Sequence, residues 1–345
     1  MIKIYDINQN QKWDEIVKSF PNHDVYYLSG YVKAFMINGD GDPFLLHYES
    51  DELHAIYVYM RRPTSLPGVY DSITPYGYGG VLFDGDTSEA NLQKFWTEYV
   101  AKMNEESIID NFVRYHPVLK NAQLMKPVSN VIDLGKTIAI DLSSPEVIWE
   151  NIISKNRNVI RKAEKNGIEI RHGKDLELFR DFRRIYNATM CKNNAEAYYF
   201  FGEEFYDSVY RDLYDNCELF YSVLDGQIIA ISIMLHCNGR MHYHLSGSLM
   251  EYRNLAPSNL LLYKAALWGC EQGFKTFHLG GGVGSCEDNL YKFKAAFNKN
   301  SDYQFSIGKQ IFNQELYNQL VELRKKSNAD FNMESCFFPL YRSDC

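Results

Sequence analysis

At 345 residues the chain exceeds one ordinary domain and fits two of about 150 residues each. A formal net charge of −8 excludes a general nucleic-acid binder, because phosphate contacts need a surplus of Lys and Arg, and leaves such contacts to a local basic patch. The 46% hydrophobic and 23% charged residues are those of a folded globular protein, and no run of about 18 apolar residues reads as a membrane span.

The opening residues, MIKIYDINQN, lack the basic-then-apolar layout of a signal peptide and read as a short strand over 2–5. A helix is predicted near 11–19 and a second over 29–37. Two strands, PFLLHYES and LHAIYVYMRR, follow, joined through Asp51 and Glu52. VYDSITPYGYGGVLF reads as strand, loop and strand, with Pro75 and the glycines marking the loop. A helix over roughly 88–104 carries Leu92, Phe95, Trp96, Tyr99 and Val100 at helical spacing, and strands near 109–115 and 130–142 close this half.

A long helix over about 145–166, stopped by Gly167, opens the second half and leads into the strand GIEIRHG. Helices near 176–191 and 202–215 precede three strands, ELFYSVL, IIAISIMLH and MHYHLSGS, turned through DGQ and NGR. A helix over 257–271, the strand KTFHLGG, a helix over 289–297, the strand DYQFSIG and a helix over 313–326 complete the chain. Meandering strands that pass into a helix and then a further strand predict an α/β fold with a mixed sheet and helices on both faces. A looser version of the same order in the first half implies internal duplication, with halves at 1–142 and 143–345. The seven cysteines, Cys345 among them, show no C-x-x-C pair and are expected to be reduced thiols of a cytoplasmic protein, without a zinc site or disulfide frame.

Several stretches carry candidate chemistry. In YRNLAPSNLLLYK a helix starts at Pro257, where a missing N–H costs nothing, and its exposed N–H groups together with Arg253 make an anion site. In FHLGGGVGSCEDNLYKFKAAF a glycine run allows close approach of a ligand, and Asp288 caps the next helix. Leu290, Phe293 and Phe297 form that helix's apolar stripe, which fixes Lys294 beside it as a cation able to stabilise an oxyanion. Alternation along HYHLSGS places His242, His244 and Ser246 on one face, suited to general-base work or to substrate binding. That row lacks a third ligand at suitable spacing, so no metal site is expected. Lys155, Arg157, Arg161, Lys162 and Lys165 crowd one helix and offer a phosphate contact. Two aromatic runs, with Tyr76 and Tyr78 in one and Tyr198–Phe201, including Tyr199, in the other, read as ligand-gripping loops. Each of these also has a plain structural reading as a solvated face or a core row.

TPYGYGGVLF, WENIISKNRNVIRKAEKNGIEI, ATMCKNNAEAYYFF, HYHLSGS and FHLGGGVGSCEDNLYKFKAAF together resemble the FemAB-related branch of the GNAT acyltransferase superfamily, also described as BioF2-like. The resemblance implies two tandem GNAT-like halves with a cleft between them. It implies transfer of an acyl or aminoacyl group to an amine, the acceptor being a small molecule or a cell-envelope precursor such as the peptide of a peptidoglycan precursor. It makes acyl-CoA or aminoacyl-tRNA the donor substrate, with tRNA a partner in the latter case and no tightly bound cofactor. Arg253-x-x-Ala256-x-Ser258 is similar in spacing to the R/Q-x-x-G-x-G/A loop that holds the acyl-CoA pyrophosphate in GNAT enzymes, but lacks both glycines. Phe293-Lys294 matches a Phe-Lys pair lining the family's reaction channel. The family's N-terminal acceptor-binding Lys has no secure counterpart, Lys33 being only nearby, and the long helical arm of some relatives is missing. The expected catalytic residues are therefore Lys294 and His244; the donor site is Arg253, Ala256, Ser258 and Phe293; the acceptor site is Tyr76, Tyr78, Tyr199, His242 and Arg157. The alternative is a non-catalytic protein that uses the same fold to bind a nucleotide-linked envelope precursor.

Overall fold

The computed structural model describes residues 1–343; Asp344 and Cys345 lie outside the described residues. In chain order the elements begin β1 (Ile2–Asp6), α1 (Asn10–Ser19), α2 (Ser29–Ile37), β2 (Asp42–Glu49), β3 (Leu53–Pro63), β4 (Tyr70–Ile73), β5 (Leu82–Gly85), α3 (Glu89–Glu105), β6 (Ile108–Arg114) and α4 (Ala122–Met125). They continue with β7 (Val131–Asp141), α5 (Pro145–Asn151), α6 (Ser154–Lys165), β8 (Glu169–Gly173), α7 (Leu176–Lys192), α8 (Glu203–Asp212), β9 (Cys217–Leu224), β10 (Gln227–Cys237) and β11 (Arg240–Ser248). The chain ends with α9 (Pro257–Glu271), β12 (Thr276–Gly280), α10 (Asn289–Ala295), β13 (Tyr303–Ile311) and α11 (Gln314–Ser327). The helix expected over 145–166 is two helices, because Ile152 and Ile153 are extended. Ile152 is buried in the core, and the Ile153 N–H donates to the Ala296 carbonyl at 3.1 Å instead of closing a helical turn.

One compact unit holds Met1–Leu134 and Phe305–Cys345, the other Gly135–Gln304. This division departs from halves at 1–142 and 143–345: the terminal segment carrying α11 belongs with the first unit. There the strands run β1-β2-β3-β4-β6-β13, with β5 pairing on β3. The helices bury stripes dictated by their sequence: Trp13, Ile16 and Val17 on α1, and Leu92, Phe95, Tyr99 and Met103 on α3. Tyr317, Leu320 and Val321 of α11 pack with Ile109, Phe331 and Tyr341.

In the second unit the order is β7-β12-β11-β10-β9-β8. Its main core joins Ile160 and Ala163 of α6, Leu261, Leu262 and Ala265 of α9, and Met234 and Met241 of the sheet. The opposite face receives α7, where a side chain at Gly247 would come within 2.8 Å of the Tyr186 backbone, so only glycine permits this approach.

With β5 set aside as an addition on β3, the same order occurs twice: strand, two helices, three strands, helix, strand. In β1-β2-β3-β4-β6 only β4 and β6 run parallel. In β8-β9-β10-β11-β12 only β11 and β12 do. The expected mixed α/β sheet and its duplication are thus present as topology.

Candidate functional site

The two parallel pairs differ where a ligand could enter. In the first unit the partners stay joined beyond β4: Thr74 N–H donates to Phe112 O at 3.0 Å, Gly79 N–H to Arg114 O at 2.7 Å, and His116 N–H to Gly79 O at 3.1 Å. The Arg114 guanidinium closes this place further, donating to Thr74 O at 3.0 Å. In the second unit β11 and β12 pair only over Arg240–His242 and Thr276–His278, after which β11 keeps β10 and β12 keeps β7. The strands fork at His242 and His278, whose buried rings meet edge to face at 6.0 Å.

Around this fork the sequence builds a close set of groups. Nε2 of His278 lies 3.0 Å from the Thr137 hydroxyl of β7. Beyond β12 a side chain at Gly281 would lie 3.1 Å from the Lys136 carbonyl, and one at Gly282 would overlap the Cys286 carbonyl at 2.0 Å. The loop therefore depends on missing Cβ atoms. Asp288 closes it, accepting from Tyr291 N–H at 2.8 Å and from Val283 N–H at 3.3 Å, and so starts α10. These backbone donors hold its carboxyl below the usual range.

Lys294 on α10 is only 9% exposed, and its ammonium donates to the Gly281 carbonyl at 2.7 Å. Burial pushes its pKa down to about 8, against a smaller upward pull from Asp288. Phe293 packs partly buried on the core, edge to face with Phe297 at 5.6 Å. Leu290 departs from the expected stripe: it is 40% exposed, because α10 is a single short helix whose inward side carries Tyr291, Lys294 and Ala295 instead.

The row expected along HYHLSGS does not form. Leu245 pairs with Ile233 and Tyr243 with Met234, so the ladder steps over His244 as a β-bulge. Alternation reverses there, and Ser246 joins the Tyr243 face, its hydroxyl 2.8 Å from that of Ser232 and hydrogen-bonded with Tyr243. Burial pushes His244 down to about 3, with His242 adding to the effect, so its imidazole is neutral at working pH and too weak a base for the general-base reading.

Beyond β11 the chain turns through Arg253, which is exposed, and Ala256, whose φ of +56° and ψ of 47° are left-handed. Pro257 then begins α9 as expected, and Ser258 is half-buried in its first turn. The backbone thus adopts the glycine-type turn although the glycine is absent.

The remaining expected residues lie elsewhere. Arg157 is held on α5, its guanidinium 6.0 Å from the Trp149 ring and donating to the Trp149 carbonyl at 3.3 Å, with Arg161 5.0 Å over the same ring. Lys155, Lys162 and Lys165, which with Arg157 belong to α6, are exposed. Tyr199 is half-buried against exposed Tyr198 at 5.3 Å, while Phe201 is core, stacked on Phe205 at 4.4 Å. Tyr76 and Tyr78 belong to the first unit, Tyr76 stacked on Phe35 at 5.3 Å and Tyr78 against Tyr26 and His116 at 5.7 and 5.8 Å. His278 and Thr137 went unread in the sequence; the only cue was a histidine inside the apolar strand before the glycine run.

Comparison with known proteins bears on the fold. Residues 154–294 match the acetyltransferase (GNAT) domain family. No curated protein matches the chain. The structure is similar to the crystal structure of FemX, with TM-score 0.70, 16% identity, and 93% of this chain and 100% of that one covered. It is similar to a conserved protein of unknown function from Bacteroides thetaiotaomicron VPI-5482, with TM-score 0.59, 12% identity and coverage of 90% and 99%. It is also similar to L-PGS from Bacillus licheniformis, with TM-score 0.53, 12% identity and coverage of 94% and 98%. Residues 154–294 of the second unit therefore match a GNAT-type acetyltransferase domain, and the chain shares the fold of FemX.

Proposed function

We propose that the protein is an acyltransferase that moves an acyl or aminoacyl group from an activated ester to an amine, with the reaction at the fork between β11 and β12. The fork carries this reading: it leaves an edge of β11 along which an extended, amide-bearing arm can pair as an added strand. The left-handed turn at Ala256, the start of α9 and exposed Arg253 then suit the phosphates of that donor, which favours acyl-CoA over aminoacyl-tRNA.

The acceptor amine attacks the donor carbonyl, the carbonyl oxygen becomes an oxyanion, and as the amide forms the C–S or C–O bond breaks, the leaving thiolate or alkoxide taking up the proton that the nitrogen gives up. Lys294 uses one N–H on the Gly281 carbonyl and keeps two for the oxyanion. Phe293 excludes water on the donor side, and neutral His244 positions donor or acceptor at the bulge. His242 and Tyr199 are assigned to the acceptor side, which is an amine of a small molecule or of a cell-envelope precursor. This route needs no covalent acyl intermediate on the protein, so positioning and charge stabilisation supply the rate.

Turnover with a panel of acyl-CoA and aminoacyl-tRNA donors, paired with amine acceptors, tests the reading. Acyl-CoA is expected to be consumed, and Arg253→Ala to raise its KM while leaving kcat nearly unchanged. A protein that binds CoA tightly yet turns over no donor would instead be the non-catalytic binder.

A further inference from the structure

A group of side chains in the first unit has no part in the chemistry proposed above. His47 and Glu49 are alternate residues of β2, so their side chains leave the same face, and Glu49 pairs across the ladder with His54 of β3. The register thus brings two imidazoles and a carboxylate together, their ligand atoms all within 4.8 Å of one another. Nδ1 of His47 is also buried with no hydrogen-bond partner among the described residues. Buried polar atoms are nearly always satisfied in folded proteins, so this nitrogen points to a missing ligand. The Phe20 ring lies edge to face with the His47 ring at 6.3 Å.

We propose that His47, Glu49 and His54 form a zinc site that clips β2 to β3 beside their shared turn, with water in the fourth position. Two histidines and one carboxylate are a ligand set that zinc accepts, while calcium and magnesium call for oxygen ligands throughout. Metal–ligand bonds of about 2.0–2.1 Å put neighbouring ligand atoms about 3.3 Å apart, so the three side chains must close slightly on the ion. Exposed His54 is free to make that movement. Lys3 is the main competitor, its ammonium 3.2 Å from Oε2 of Glu49, which leaves Oε1 for the metal. Lys12 also acts on His47. These two cations weaken the affinity, and the site lacks the sulfur ligands of tight structural zinc sites.

The test is calorimetric titration of the chelator-treated, dialysed full-length protein with zinc chloride at neutral pH, with thermal unfolding followed in parallel. One zinc per chain, a micromolar Kd and a Tm that rises to saturation are expected, and cobalt should give the visible absorption of a four-coordinate site. His54→Ala and Glu49→Gln alter exposed or half-buried side chains, so both variants fold and should lose the saturable isotherm and the rise in Tm. Absence of saturable binding to the unmodified chain would overturn the site. So would an unchanged isotherm in His54→Ala, or displacement of zinc by millimolar magnesium.

Discussion

Lys294 combines two properties that pull against each other: its ammonium is nearly enclosed, and its partner is a neutral carbonyl, not a carboxylate. A pKa brought from 10.5 to about 8 corresponds to about 3 kcal/mol disfavouring the charged form. Because the folded value is the lower one, this group favours folding above about pH 10.5 and loses that contribution as pH falls through about 8. Lys294→Met is therefore expected to unfold at no lower temperature than the wild type at neutral pH, and any gain should vanish towards pH 10.5. In catalysis the same substitution should lower kcat about 10²–10³-fold, or about 3 kcal/mol of oxyanion stabilisation. If the ammonium is the active form, kcat declines as pH rises through about 8, and Lys294→Arg moves that decline to higher pH. Full turnover by Lys294→Met would remove the residue from the mechanism.

At the scale of elements, the start of α9 places an alanine in a conformation that suits glycine. The left-handed φ of +56° at Ala256 costs about 1 kcal/mol in an L-residue, and alanine is also a poor N-cap. Ala256→Gly should stabilise the protein by about 1 kcal/mol in denaturant unfolding, reduced somewhat by the greater freedom of glycine in the unfolded chain. Donor KM should change little, because the turn already has its shape. A destabilised Ala256→Gly would show that the alanine methyl makes contacts worth more than the strain. The bulge at His244 is a second such device: one extra residue turns Ser246 to the other face without disturbing the partners on either side.

For the whole molecule, the segment after β13 matters most, since it completes the first unit from the far end of the chain. The Tyr341 hydroxyl donates to Asp110 at 2.7 Å and lies 3.0 Å from Asp71, while Arg62 reaches Asp71 at 2.7 Å and Arg342 bonds to it as well. Burial, with Asp71 beside it, pushes Asp110 up to about 8. The folded value is the higher one, so the contribution of Asp110 is full below about pH 4 and is lost as pH rises through about 8. The Tm of the wild type should fall towards pH 8, and Asp110→Asn should flatten that slope. Tyr341→Phe leaves the buried Asp110 carboxyl without its donor, Asp71 keeping Arg62 and Arg342, and should cost about 1–3 kcal/mol. Unchanged unfolding in Tyr341→Phe would mean that the hydroxyl adds nothing to the hold of the terminal segment on the first unit.

The order of strands and helices was legible in the sequence because period and turn chemistry are local. The apolar run in LHAIYVYMRR, the DGQ and NGR turns, and the stripe on α3 fix elements with no knowledge of neighbours. The FemAB-like resemblance was equally readable, and Lys294 stood out within it as the cation next to Phe293. What the tertiary structure alone decided depends on register and on contacts between distant segments. A single skipped residue at His244 undid the expected His–His–Ser face, and no periodicity reveals a bulge. Leu290 looked apolar and inward, yet the short helix turned Lys294 inward in its place, where the Gly281 carbonyl receives it. His278 became part of the site only because β7 brings Thr137 beside it and β11 leaves β12 at that point. A chain specifies its own periods residue by residue, but which residues face each other is settled only when strands from distant parts of the sequence pair.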